Sequence, residues 1–588
     1  MNSKSLNKII LIASMLMLFT VSFIRLESLG EHFTQIDEAG VAELLLFPRD
    51  LTNINKAFLK KRIEEQSSLI FKIYNHADEK GYVNNVLSLG NSFYQFFVVP
   101  ITQTFAPIQF IGTKLLISEE QSYREILFWA RFPSFLFSVS ALVLIFKFYQ
   151  NIQSKERLPF RLLAITLMGL SLENIIFAQQ AISYSIGVFV AMFLILLFLK
   201  YSQMKQWSKK DIIKLGFFLA ILVNCQYQVL FFLPAFFLTL LVSQPRKYFL
   251  LKEKLSMMIL AGIVFSILFL PTYIIFLRRH RNAGLNYNSG PNGEFSFSSP
   301  INEGLIAKTT YFFEFFIHNW ISIFQSMTSF VPEKSVLYLP CFIFLSFLFI
   351  IGIISFFQKS NPLKQIAIFF FFTFLTWSAL AILGKIALSP TRHSLILLPI
   401  FVIIICEGCF YFCYLIQSNL TKKINLFYLV PCLASLMVSI IFFSYYPDEK
   451  ESRKDVFSES EINKIISDHN VDSIILYGCS YNLVLMKKIN KEYPIFYGCA
   501  NYRKSNNYAQ KHNNIFNKIA FVSGGGFLNG KQFELLVKTA NAGEKEEFSD
   551  YEVKYSFIKP AGTHMEYSEK IDSQLNGLSL IIYEKIRQ

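Results

Sequence analysis

Residues 393–416 read HSLILLPIFVIIICEGCFYFCYLI, an apolar run whose one acid is Glu407. A helix rises ~1.5 Å per residue, so the run covers about 36 Å, enough to cross the ~30 Å hydrocarbon core of a bilayer. Ten further runs share this character: 8–24, 127–149, 160–178, 181–200, 212–225, 227–243, 255–277, 336–357, 365–384 and 424–446. Residues 212–243 would suit one long helix, but Asn224-Cys225-Gln226 in its middle favours a tight hairpin. The 588-residue chain is 53% hydrophobic and 16% charged, against roughly 25% charged in a soluble domain. That excludes a soluble multidomain protein, and so apolar a chain is not disordered. The expected fold is a polytopic α-helical membrane protein of about 11–13 transmembrane helices, with 93–117 as the doubtful crossing.

The net charge of +15 is explained by orientation rather than by nucleic acid. With the N-terminus inside, the inside segments are 1–8, 147–161, 200–214, 244–254, 358–365 and 417–424. They hold nineteen Lys and Arg but three acids, Glu156, Asp211 and Glu253, a difference close to the whole net charge. The short outside turns 178–183, 224–228 and 385–392 hold two cations, Lys385 and Arg392. Positive charge in short loops faces the cytoplasm. Residues 93–117 are apolar but interrupted by Pro100, Gln103, Pro107 and Gln109. A single crossing there would invert every later loop; a half-inserted or interfacial segment keeps the parity, as does a crossing paired with a second one. The first span, preceded by Lys4 and Lys8 and followed by no small-residue cleavage pattern, reads as a retained signal anchor.

This topology divides the chain into a transmembrane domain, 1–446, with outside loops 25–126 and 278–335, and an outside domain, 447–588. Strand-like runs at 473–477, 494–497, 518–522, 551–557 and 578–583, with helical runs at 480–491 and 531–540, give that tail an α/β pattern. The loop 278–335 opens Arg278-Arg279-His280-Arg281 and runs through several Gly and Asn, and reads as polar and mobile. Cys479 and Cys499 both follow strand-like runs, so neighbouring parallel strands would bring them together. A disulfide and two buried thiols are both open. Cys406, Cys409 and Cys413 share one helix, where packing explains them better than a metal.

Acids beside a membrane are functional candidates. Asp37-Glu38 lies 13 residues beyond the first span and opens an apolar stretch, Val41–Phe47. On physical grounds alone an ordinary acidic helix start is the better account of it. Further along come Ala130-Arg131-Phe132-Pro133-Ser134, Ala178-Gln179-Gln180-Ala181-Ile182-Ser183-Tyr184, and Pro390-Thr391-Arg392-His393 with Pro399. All fall on the outside face. In this order they resemble the GT-C glycosyltransferases, membrane enzymes that take a sugar from a polyprenyl-phosphate carrier. The likeness is to the bacterial branch with the aminoarabinose and galacturonic acid transferases of lipid A and the protein mannosyltransferases. It spans essentially the whole chain. Asp37-Glu38-Ala39 is similar to the family's Asp-Glu-Ala, Arg131-Phe132-Pro133-Ser134 to Arg-x-Pro-Ser, and Gln179–Tyr184 to Gln-Glu-Ala-Arg-x-Tyr. The family's His-Pro-Pro-Leu stretch is replaced by Asn91-Ser92-Phe93-Tyr94. Gln180 stands in place of Glu and Ile182 in place of Arg, so any metal or acceptor held by that Glu in relatives is held differently here, or activity is lost.

The resemblance implies a GT-C fold with an extracytoplasmic C-terminal domain in a bacterial inner membrane. It implies transfer to a glycolipid, glycan or protein acceptor. The chemistry needs a base, a clamp for the departing phosphate and a lipid groove. Asp37 suits the base, with Glu38 second, because a partly desolvated carboxylate has a raised pKa. Arg131, Lys385, Arg392 and His393 suit the phosphate, and Gln179, Gln180 and Tyr184 the sugar hydroxyls. Arg131 also reads as a snorkelling interfacial residue. No cofactor is singled out, and a divalent metal stays open. Glu173 is an intramembrane acid for either function or an ion pair, and Glu407 reads as structural. Two other classes compete. A transporter or flippase would show inverted repeats and broken helices, which the sequence does not display. A polysaccharide ligase or polymerase would work through Arg278, Arg279, Arg281 and His318.

Overall fold

The computed structural model describes residues 3–27, 29, 115–117, 121, 123–152, 154–180, 184–204, 206–243, 251–272, 305–331, 335–358, 363–382, 394–417, 425–452, 459–477, 495–498, 518–524, 551–560 and 577–585. The chain falls into two compact units, Met1–Leu29 with Arg131–Ser452, and Gly30–Ala130 with Arg453–Gln588.

The first unit is helical. In chain order come α1 (Ser3–Glu27), α2 (Tyr123–Asn151, begun in the other unit), α3 (Phe160–Leu170), α4 (Leu172–Ala178), α5 (Tyr184–Gln203), α6 (Lys209–Cys225), α7 (Leu233–Ser243), α8 (Leu251–Thr272), α9 (Leu305–Thr328), α10 (Tyr338–Phe356), α11 (Lys364–Ile382), α12 (Leu398–Gln417) and α13 (Leu426–Ser452). Among the described residues eight helices are long and apolar enough to cross a membrane, and a bent pair makes up to nine. The chain is an integral membrane protein. Each of the eleven apolar runs has a helix on it; α6 and the run at 227–242 are the short ones. Between them Gln226 is extended (φ −155°, ψ 113°) and a 3-10 turn, Tyr227–Phe231, follows, so 212–243 does break at the expected place.

Helix α12 forms the core: nearly every residue from Leu398 to Phe410 is buried. Helices α1, α8 and α10 instead leave rows of large apolar side chains exposed, such as Ile12, Phe19, Ile259, Ile263, Phe347 and Ile354. This is the surface lipid tails would cover. Helix α10 approaches α12 backbone to backbone. A Cβ on Gly352 would overlap the Ile404 carbonyl oxygen, and one on Gly408 the Leu348 carbonyl oxygen. Small residues at such crossings are how membrane helices gain van der Waals contact where burial from water gives none.

Two features depart from the sequence expectation. First, a helix is broken after all: α3 and α4 meet at 62°. Ser171 breaks the run (ψ 121°), and its Oγ accepts from Asn174 N (3.4 Å) and donates to Met327 O (3.0 Å). The freed Leu172 N–H donates to Ser329 O (3.0 Å). Second, the C-terminal half of the expected polar loop 278–335 is the helix α9, with Ile323, Phe324, Met327, Phe330 and Val331 buried at its end. Its Phe324 ring packs edge-on against Phe401 of α12 (5.4 Å). Residues 278–304 lie outside the described residues. Glu173 accepts from Ser326 Oγ of α9 (3.2 Å), a helix-to-helix contact. Glu407 accepts from Arg157 twice (Oε1–Nη2 2.7 Å, Oε2–Nε 3.0 Å) and from Ser355 Oγ (3.0 Å), as a structural acid would.

In the second unit, α14 (Glu459–Asp468) precedes β1 (Ser473–Tyr477), β2 (Ile495–Gly498), β3 (Lys518–Gly524), β4 (Tyr551–Pro560) and β5 (Gly577–Lys585). They form one sheet in the order β2-β1-β3-β5-β4. The first three strands are parallel, while β5 is antiparallel to both its neighbours. Each strand falls on a strand-like run of the sequence. Asp472 fixes the start of the sheet: its N–H donates to Lys518 O and its Oδ2 accepts from Lys518 N, both 2.9 Å. The helical runs 480–491 and 531–540, Cys479, Cys499 and the segment 93–114 lie outside the described residues, but β1 and β2 are parallel neighbours whose last pair is Tyr477 and Gly498.

Candidate active site

The last carbonyls of a helix have no partner within it. At the end of α1 they are taken by the turn that ends α4. Gln179 Nε2 donates to Ile24 O (3.1 Å) and Arg25 O (3.4 Å), and the side chain is buried. Arg25, fully buried, donates from Nε to Ser138 Oγ of α2 (2.9 Å) and from Nη1 to Val21 O (2.8 Å). Arg131, also fully buried, donates from Nη1 to Leu29 O (2.9 Å). Three side chains from α1, α2 and α4 thus fasten the stretch 21–29, from which the chain runs on to Asp37-Glu38. A guanidinium so deep in a membrane bundle is costly unless its donors are used; Arg25 Nη2 has no hydrogen-bond partner among the described residues.

Gln180 follows Gln179 with 5% of its surface exposed, and its Oε1 has no partner among the described residues. Tyr184 opens α5, with its ring edge-on to Phe177 at 5.4 Å. The structure therefore brings Arg131, Gln179, Gln180 and Tyr184 to one end of the bundle. It shows Arg131 and Gln179 holding backbone, whatever else they bind. Ser394, the residue after His393, starts a buried 3-10 turn, Ser394–Leu397. Its Ile396 lies 3.6 Å from where a Cβ on Gly187 of α5 would be. Asp37, Glu38, Lys385, Arg392 and His393 themselves lie outside the described residues, as do Arg278, Arg279 and Arg281. His318 is exposed on α9. Among the described residues no three His, Cys, Asp or Glu side chains are placed to share a metal ion. Cys406, Cys409 and Cys413 are buried thiols.

The sequence reading missed Arg25. A cation at the end of the first apolar run was the available signal.

No family model matches the sequence, and no curated protein matches it. Among solved structures the chain is similar to the crystal structure of ArnT from Cupriavidus metallidurans bound to undecaprenyl phosphate. The identity is 11%, 97% of each chain is covered and the TM-score is 0.43. A likeness of that degree argues nothing about the site, which rests on this chain's own residues.

Proposed function

We propose that the chain is a membrane glycosyltransferase. More narrowly, it would move a sugar from a polyprenyl-phosphate donor to a glycolipid, glycan or protein on the outer face of a bacterial inner membrane. The observation that carries this is the pair of buried guanidiniums, Arg25 and Arg131, at the same bundle end as Gln179 and Gln180. Planar cations set deep beside amide groups suit a lipid phosphate bearing a sugar. The ordered motifs from Asp37 to His393 support it. In this reading Asp37 takes the acceptor's proton as its oxygen attacks the anomeric carbon, and Glu38 is the second choice. Arg131, Lys385, Arg392 and His393 hold the phosphate that departs with the lipid. Gln179, Gln180 and Tyr184 bind the sugar.

The bent α3–α4 pair favours a transporter as the second reading. Its freed backbone is tied to α9, which suits a fixed brace better than a moving gate. The test uses the full chain in lipid nanodiscs with an undecaprenyl-phosphate sugar and a membrane lipid extract. A sugar-sized mass gain on an extract component supports transfer. No gain, with sugar-lipid moved across liposomes instead, supports transport. Orientation is tested with a reporter active only outside: it should be on when fused after 447 and off at 205.

A further inference from the structure

Helices α5 and α6 are tied together where one ends and the next begins. Tyr201 Oη donates to Asp211 O (2.6 Å), and Trp207 Nε1 donates to Tyr201 O (3.1 Å). Ser208 Oγ accepts from Asp211 N (3.2 Å), and Asp211 Oδ2 accepts from Ser208 N (3.3 Å). These bonds hold the lysines beside them, Lys200 on α5 and Lys210 and Lys214 on α6, at one end of the helix pair, and all three are exposed. Hydrogen bonds from Ser208 lower the Asp211 carboxyl pKa first, and the charges of Lys214 and Lys200 lower it further, so both cations lie close to that residue. Among the described residues none of the three lysines has a hydrogen bond or ion pair.

From these lysines the outer surface turns apolar along both helices. On α6, Lys210, Lys214, Phe217, Phe218 and Ile221 are exposed at spacings of three and four, which is one helix face. On α5, Lys200 is preceded at the same spacings by the half-buried Leu196 and Phe193. The two tracks meet: the Phe193 ring lies 6.0 Å from Phe218, and Phe217 lies 6.2 Å beyond it. Phe193 is ~10 Å along α5 from Lys200, and Phe218 is ~6 Å along α6 from Lys214. Phe217 is 48% exposed and Phe218 36%, so this face is open to whatever surrounds the bundle.

We propose that the α5–α6 pair binds an acidic two-chain phospholipid, its phosphate among Lys200, Lys210 and Lys214 and its acyl chains on the Phe193, Phe217 and Phe218 rings. A lone snorkelling lysine needs only its own stem and the bulk headgroups. Here three cations from two helices are brought to one end, and the helix ends that carry them are fixed by hydrogen bonds. Asp211, the acid between them, is taken up by Ser208. An anion carried directly on hydrocarbon chains complements a cationic end that continues into an apolar track. A zwitterionic lipid brings its own ammonium to the same lysines and loses most of the attraction. The proposal stands apart from the transferase reading, since Lys200 is ~24 Å along α5 from Tyr184.

The test is native mass spectrometry of the full chain with dioleoyl phosphatidylglycerol, dioleoyl phosphatidylcholine and undecaprenyl phosphate. One lysine near an acidic lipid surface changes binding about fivefold, less when screened, so the wild type should retain phosphatidylglycerol about tenfold better than phosphatidylcholine. Lys200→Gln, Lys210→Gln and Lys214→Gln should each cut that preference about two- to fivefold, and the three together should abolish it. Lys200→Arg/Lys210→Arg/Lys214→Arg keeps the charges and should keep the preference. Lys147→Gln/Lys364→Gln, at exposed lysines of α2 and α11, should leave it unchanged. Phosphatidylglycerol should also raise the melting temperature of the wild type and the arginine variant but not of the triple glutamine variant. Equal wild-type retention of the two phospholipids overturns the site, as does an undiminished preference in the single and triple glutamine variants. An equal loss in the Lys147/Lys364 variant overturns it too, because the attraction would then belong to the charge of the whole chain. Lysine-dependent retention of undecaprenyl phosphate above phosphatidylglycerol would give the patch to a single-chain lipid and likewise overturn the proposal.

Discussion

Replacing Glu407 with alanine isolates one buried charge. The Arg157 guanidinium lies 8% exposed, held by two contacts to Glu407, with its centre 3.9 Å from the Phe410 ring. Glu407→Ala removes the carboxylate and leaves the cation desolvated above an aromatic face. A cation–π contact is worth about 0.5–2 kcal/mol, whereas breaking one side of a buried pair costs about 3–5 kcal/mol. The single variant should therefore lose about 3–5 kcal/mol. The double variant Arg157→Met/Glu407→Leu removes both charges and should recover most of that loss, because apolar replacement of such a pair is often neutral or better. Glu407 lies ten residues beyond Leu397, about 15 Å along the helix from the proposed site. Transfer per folded molecule should then hold within about twofold. The assay is reversible unfolding in mixed detergent micelles, with transfer measured on the folded fraction. A single-variant loss under about 1 kcal/mol, the range of exposed pairs, would refute the reasoning, as would a double variant no better than the single.

Gly408→Leu should abolish the α10–α12 contact, since even its Cβ overlaps the Leu348 carbonyl oxygen; size-exclusion chromatography of purified protein should show aggregation, with Gly262→Leu, which meets nothing within 4 Å, as the tolerated control. Asp37→Asn should lower transfer about 10²–10⁴-fold with expression and donor binding intact. Hydrogen bonds from Ser208, side chain first, hold the Asp211 carboxyl below its ordinary value. That cap should stabilise α6 above the unfolded carboxylate pKa of ~3.9 and fade as pH falls toward the lower folded value; Ser208→Ala, which keeps the backbone donor and the Lys200 and Lys214 charges, should shrink the acid-side loss in a melting series without abolishing it. Alkylation and mass analysis should find Cys479 and Cys499 joined by a disulfide in protein exported to an oxidising compartment; two alkylated thiols would refute it.

The eleven helical runs were legible because membrane spans are long and continuous, and the five strands because each is a short run of apolar and β-branched residues with turn residues nearby. The bend at Ser171 was not, because Leu170-Ser171-Leu172 carries neither Pro nor Gly, and the break is stabilised by α9, about 155 residues away. Helix α9 itself hid behind Glu314, His318 and Asn319, which dilute its apolar face below that of a span. Gln179, Gln180 and Tyr184 stood out in the sequence as one turn, and the structure brings them together at one bundle end, but the backbone partners of Gln179 and Arg131 are long-range and leave no local pattern.

Arg157 and Glu407 are 250 residues apart. At ~5–20 residues per second of synthesis, the arginine is made roughly 12–50 s before its carboxylate exists. During that interval the guanidinium has no partner to justify burial. Its flexible stem would keep the charge among lipid headgroups, and α3 would wait near the membrane surface. Arrival of α12 would then draw the preceding loop inward, so the last steps of assembly are set by the ribosome's progress to Glu407 and not by the insertion of α3 alone.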